Sequence, residues 1–264
     1  MRAGVWELEC VAFGVGFRLA AESDEVLARM RLCVPWDTEL GARVAGQAIE
    51  AAVFQIGMGA GYRLLMDGEV VGESGELPII LEQLARELML HVADGAPERV
   101  FVHAGVVGWK GRVVVMPGRS FAGKTTLVAE MVRAGATYYS DEYAVIDACG
   151  MVHAYARELQ MRAVGCVKQR GVCVAELGGV AAERPGRVTH VVVAEYADGA
   201  RWEPVAISRG SAALEMMRHA IAVQRAPGRV MAALTKMTET AEAVRGVRGE
   251  AGEVARWMLD RVNA

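Results

Sequence analysis

The sequence is poor in cysteine, and the few it has are badly placed for metal or disulfide chemistry. Cys10, Cys33, Cys149, Cys166 and Cys173 are odd in number and scattered, with no CxxC pair. That pattern argues against a thiolate zinc site and for a reduced, cytoplasmic setting in which each thiol is a small hydrophobe. An excess of one charge is also missing: 29 Lys and Arg stand against 32 Asp and Glu, for a formal net charge of −3. A general polybasic attraction is therefore lacking, and neither nucleic acid nor a membrane surface is expected as a partner. No run approaches the roughly 18 consecutive apolar residues of a membrane span. The opening residues meet Glu7 and Glu9 before the apolar core of a signal peptide can form. Internal repeats and low-complexity tracts are absent too. What is left is a globular composition, 53% hydrophobic and 23% charged, sufficient for one large domain or two small ones.

The texture of the chain changes near residue 98. Residues 1–97 read as a small α+β region. A strand is expected over Cys10–Leu19, a helix over Ser23–Leu32 with Ser23 as N-cap, and a hairpin turning at Asp67-Gly68 between short apolar runs. Apolar residues at helical spacing over Pro78–Val92 predict a helix that stops before Gly95-Ala-Pro97. From 98 to 264 the pattern is α/β. A short buried strand is expected at Val100–Val102, a turn at Lys110-Gly111, and a central strand at Arg112–Met116. A helix from Lys124 to Ala134 with Gly135 as its cap comes next. Further on, the pattern predicts a strand over Val188–Ala194 and helices over Ser211–Gln224, Gly228–Thr240 and Gly252–Val262.

Between the strand at 112–116 and the helix at 124 lies Gly118-Arg119-Ser120-Phe121-Ala122-Gly123-Lys124-Thr125, followed by Thr126. It satisfies G-x-x-x-x-G-K-[ST], in the strand–loop–helix setting that the mechanism requires. A glycine-rich turn there lets successive backbone N–H groups converge on phosphate oxygens, and the helix adds its positive N-terminal end. Lys124 supplies a mobile charge for the outer phosphates, and the Thr125 hydroxyl is placed to ligate Mg²⁺. The expected ligand is a nucleoside triphosphate, ATP with Mg²⁺.

Phosphoryl transfer also needs carboxylates for the metal and, in a kinase, a base near the acceptor hydroxyl. Asp141 and Glu142, after the loop helix, are placed for both jobs, although an acidic pair taken alone fits an exposed turn equally well. His103 follows the strand at 100–102 and is a candidate for contacting a phosphate oxygen. His91, His153, His190 and His219 are read as structural. Arg157 and Arg162 fit either an anion clamp or an ordinary surface.

His103-Ala-Gly, the loop Gly118–Thr126, Arg133-Ala-Gly135 and Ser140-Asp-Glu142 together resemble the catalytic core of the HPr kinase/phosphorylase family. The resemblance covers about residues 100–150. It implies a P-loop kinase core related to the catalytic domain of phosphoenolpyruvate carboxykinase, rather than to the Ras or RecA groups. By that resemblance Asp141 is the general base, Lys124 binds phosphate, Thr125 binds the metal with Asp141 and Glu142, and His103 lies near the transferred group. Glu142 stands where the family often has a second aspartate. Arg119 and Phe121 replace smaller or acidic residues, and the glycine-rich protein-binding signature is missing from Arg157–Gly179. Those departures point to a divergent member and away from HPr as substrate. The expected activity is transfer of the γ-phosphoryl group from ATP to a hydroxyl on a protein serine or a small molecule, with a homo-oligomer allowed by the resemblance. The alternative is a nucleotide-dependent binding or switch protein with little or no kinase activity.

Overall fold

The computed structural model describes residues 5–41, 52–119, 123–162 and 169–262. The chain divides into two units, Met1–Glu98 and Arg99–Ala264. Among the described residues no helix is long and apolar enough to cross a membrane.

Among the described residues the first unit is built on a sheet of six strands. The run expected as one strand over Cys10–Leu19 is instead two, β1 (Trp6–Ala12) and β2 (Val15–Ala21), paired antiparallel. Phe13 and Gly14 reverse the chain between them with φ of 49° and 79°. A phenylalanine in the left-handed region is uncommon, which is why the apolar run hides the turn. α1 (Asp24–Met30) starts after Ser23, whose side chain makes no capping hydrogen bond. β3 (Thr38–Leu40), β4 (Ala52–Met58), β5 (Tyr62–Met66) and β6 (Glu69–Ser74) complete the order β3-β1-β2-β4-β5-β6. The β5–β6 hairpin turns at Asp67-Gly68 with φ of 52° and 86°, the positive pair that an Asp-Gly turn favours. α2 (Leu77–Gly95) buries Ile80, Leu84, Leu88 and Val92, one stripe at helical spacing. The stripe packs with Phe17, Leu19, Phe54, Ile56 and Leu64 of the sheet. Each fully buried Leu or Ile there contributes about 1.5–3 kcal/mol.

The second unit is three-layered. Its strands are β7 (Arg99–Trp109), β8 (Arg112–Pro117), β9 (Thr137–Ser140), β10 (Tyr143–Asp147), β11 (Met151–His153), β12 (Leu159–Arg162), β13 (Gln169–Val172), β14 (Gly186–Tyr196), β15 (Val205–Ala206) and β16 (Glu242–Arg248). Its helices are α3 (Lys124–Arg133), α4 (Arg209–Met217), α5 (Pro227–Thr238) and α6 (Ala251–Arg261). The main sheet runs β11-β10-β7-β8-β14-β16-β15, with β9 added alongside β7, while β12 and β13 pair separately. β8, β14 and β16 are mutually parallel, and β7 pairs antiparallel with β8. Val113 and Val115 join one core with residues of α4 and α5; Val114 and Met116 join another with α3 and α6. A strand covered by helices on both faces has to be apolar at every position, hence the unbroken run at 113–116.

Two further expectations change. The strand expected at Val100–Val102 is the start of β7, 11 residues long. The helix expected over Ser211–Gln224 ends at Met217, and Ala220 turns extended before a short 3-10 turn at Ile221–Val223. Ala220 bridges to Val102, and the His219 carbonyl accepts the His103 N–H at 2.9 Å. The backbone there bonds to β7 in place of continuing the helix.

Candidate functional site

The site forms where β7 changes neighbours. Up to His103 this strand pairs with β10; from Ala104 it pairs with β8, and from Val106 also with β9. At that junction the His103 carbonyl accepts the Gly118 N–H at 3.2 Å and the Ala104 N–H bonds to the Glu142 carbonyl at 3.1 Å. Three stretches distant in sequence, around His103, Gly118 and Glu142, are thus fastened by backbone hydrogen bonds. Ser140 fixes the acidic turn, its Oγ accepting the N–H groups of Glu142 and Tyr143 at 3.1 and 2.9 Å.

The described ends of the glycine-rich loop are drawn together by Lys124. Its Nζ donates to the carbonyls of Gly118 and Arg119, each at 2.8 Å. Ser120, Phe121 and Ala122 lie outside the described residues. Gly123 is the N-cap of α3, with φ of 75° and ψ of 20°, a left-handed conformation suited to glycine. Lys124, Thr125 and Thr126 form the first turn of α3, whose N–H groups have no acceptor inside the helix. Burial pulls the Lys124 ammonium below its ordinary pKa, and Asp141 and Glu142 oppose that only in part.

The structure brings Asp141 directly to the loop helix. Thr125 Oγ1 donates to Asp141 Oδ2 at 2.7 Å, and the Tyr138 hydroxyl donates to Asp141 Oδ1 at 2.8 Å. The carboxylate is buried, at 7% exposure, so it is no solvated turn residue. Glu142 is half-buried and forms a close ion pair with Arg157. Burial pushes the Glu142 carboxyl up and Arg157 holds it down. The sequence left Arg157 between clamp and surface; its guanidinium is on Glu142. The side chain of Arg162 lies outside the described residues.

His103 lies close enough to this cluster for the charge of Lys124 to act on its ring. Its ring centroid lies 4.6 Å from that of Tyr143 with the planes tilted by 34°, and Tyr143 meets Tyr155 and Phe101 edge to face. Burial first, then the charges of Lys124 and His219, lower its pKa from 6.5 to about 4. The imidazole is therefore neutral at pH 7, able to donate from one nitrogen and accept at the other.

Two contributors were not singled out from the sequence. Tyr138 is fully buried and holds Asp141, with a further 3.1 Å contact to the Arg157 carbonyl. His219, read as structural, feels the charges of Lys124 and Arg119 and faces Glu215 at 3.5 Å. Both arrive through sheet register or a helix end, and no local pattern marks either. No protein-family model matches the chain, and no curated protein sequence matches it.

Proposed function

We propose that the second unit is an ATP-dependent phosphotransferase, with a hydroxyl on a protein serine or small molecule as acceptor. The observation that carries this reading is the bond between Thr125 and the buried Asp141, one residue from Lys124 at the start of α3. A buried carboxylate tied to the loop threonine is more than a phosphate cradle needs, and it suits a site that handles a metal and a proton.

The residues present fit ATP with Mg²⁺. Among the described residues no three His, Cys, Asp or Glu side chains stand together as a self-sufficient metal site. Thr125, Asp141 and Glu142 fit an ion that takes its other ligands from phosphate oxygens and water, as Mg²⁺ does. Such an ion neutralises charge on the transferred phosphoryl group. The Lys124 ammonium, which now rests on loop carbonyls, turns to the phosphates. Asp141 accepts the proton of the acceptor hydroxyl as that oxygen bonds to the γ-phosphorus and ADP leaves. The Tyr138 hydroxyl keeps the Asp141 carboxylate aimed. The neutral His103 ring offers an N–H to a phosphate oxygen. The arrangement supports the HPr-kinase-like reading of residues 100–150 and the P-loop core that the resemblance implies.

The test is transfer of labelled γ-phosphate to a panel of proteins and hydroxylated metabolites, run beside a nucleotide-binding assay. Asp141→Asn is expected to abolish transfer and to keep ATP binding. Full transfer by that variant would remove Asp141 as base, and binding without transfer by the wild type would favour a nucleotide-dependent switch.

A further inference from the structure

The phosphate loop has two flanks. β8, which leads into it, has β7 on one side and β14 on the other. His103, Asp141 and Glu142 all reach the loop from the β7 side, through β7, β9 and β10. A triphosphate with its terminal phosphate at Asp141 directs its nucleoside toward the other flank, where β14 and β16 end side by side in parallel.

Tyr196 and Arg248 close those two strands and are partners in register. Arg248 is buried, at 3% exposure, an unusual place for a guanidinium. It is fastened by donation from Nη2 to the Gly123 carbonyl and from Nη1 to the Gly249 carbonyl, each at 3.0 Å. The approach to Gly123 is so close that a Cβ on this glycine would collide with the guanidinium. The N-cap of the loop helix is thus physically joined to the end of β16.

The guanidinium also lies over the Tyr196 ring, 5.4 Å from its centroid. Tyr196 is 55% exposed, whereas Tyr138, Tyr139, Tyr143 and Tyr155 of the same unit are all buried. The ring is therefore not spent on the core. It is a solvent-facing aromatic held by a cation, and that cation is itself pinned to the loop helix. Two successive short contacts carry the loop's N-cap to an open π-surface on the flank away from the carboxylates.

We infer that Tyr196, backed by Arg248, is the platform on which the nucleobase of the bound triphosphate stacks. The inference rests on the phosphotransferase reading for the direction in which the nucleotide lies. Stacking uses the face of the base and leaves its edges unread, so the platform selects for a flat aromatic ring. Tyr196 makes this contact as a binding residue, and Arg248 positions it.

The test compares two ligands on the full chain by calorimetry, magnesium ATP and magnesium tripolyphosphate, which shares the phosphates and lacks a base. Tyr196→Ala is expected to weaken ATP by about tenfold or more, the size of one base–aromatic stack, and to leave tripolyphosphate unchanged. Tyr196→Phe is expected to restore ATP binding, since it keeps the π-face. Unchanged ATP affinity in Tyr196→Ala overturns the platform and leaves the phosphate-loop reading intact. Equal weakening of both ligands also overturns it, because Tyr196 then supports the loop and not the base. Failure of the wild type to bind either ligand brings down the phosphate-loop reading, and the platform with it.

Discussion

Replacing His103 by Gln tests the electrostatics of the site through stability. In the folded chain, burial and the nearby charges of Lys124 and His219 hold the imidazole pKa at about 4, against 6.5 ordinarily. Below the ordinary value the unfolded chain therefore binds a proton that the folded chain refuses. Stability from this group is present in full above about pH 6.5 and is lost as the pH falls toward the folded value. Linkage gives a loss of about 1 kcal/mol by about pH 5.5 and about 2–3 kcal/mol by about pH 4.5. His103→Gln removes the titration but keeps a polar side chain of similar reach. The wild type should lose that much more stability than the variant on acidification. The contribution of His190, also lowered by burial, is common to both proteins and cancels in the difference, and that of His219 cancels apart from its coupling to His103. Urea unfolding followed by tryptophan fluorescence measures it, with Trp109, Trp202 and Trp257 reporting on the second unit. Magnetic resonance titration of the ring gives the midpoint directly, and magnesium tripolyphosphate should move it upward by neutralising Lys124. Parallel loss of stability in the two proteins, or a ring midpoint near the ordinary histidine value, would refute the reasoning.

Tyr138→Phe keeps the ring and removes the buried hydroxyl that donates to Asp141. A hydrogen bond to a charged acceptor sets the cost at about 1.5–3 kcal/mol, seen as a lower thermal midpoint, and transfer should fall while ATP binding holds; an unmoved midpoint counts against the bond. Glu215→Gln discharges the carboxylate that accepts from Arg245 at 2.6 Å and Arg218 at 3.1 Å and faces His219. The expected cost is about 1–2 kcal/mol, because the pairs are only partly buried. Burial already holds His219 below its ordinary pKa and Glu215 is the largest influence opposing it, so the ring should titrate still lower in the variant; an upward move would disprove that pairing.

The sequence alone determined the features that obey local rules. The Asp67-Gly68 hairpin, the stripe of α2, the valine run of β8 and the start of α3 after Gly123 depend on turn chemistry, period or capping within a few residues. The candidate loop and the acidic pair were legible for the same reason, since a phosphate cradle is a contiguous pattern. The split of the Cys10–Leu19 run was hidden by a turn with Phe13 in the left-handed region. The early end of α4 was hidden because His219 and Ala220 bond to β7, far away in sequence. β16 passed unread because Arg245 and Gly246 interrupt its apolar pattern, while its pairing comes from β14. Tertiary structure alone decided which polar groups meet. Tyr138 reaches Asp141, Arg157 reaches Glu142, His219 reaches the neighbourhood of Lys124, and Arg248 reaches Gly123. Each of these depends on sheet register, on a helix end or, for Arg157, on the path of the segment between β11 and β12, and a shift of one residue in a strand would send its side chains to the opposite face. Such long-range placement is written in no short stretch of sequence, so the chemistry of the loop could be read locally and the groups that tune it could not.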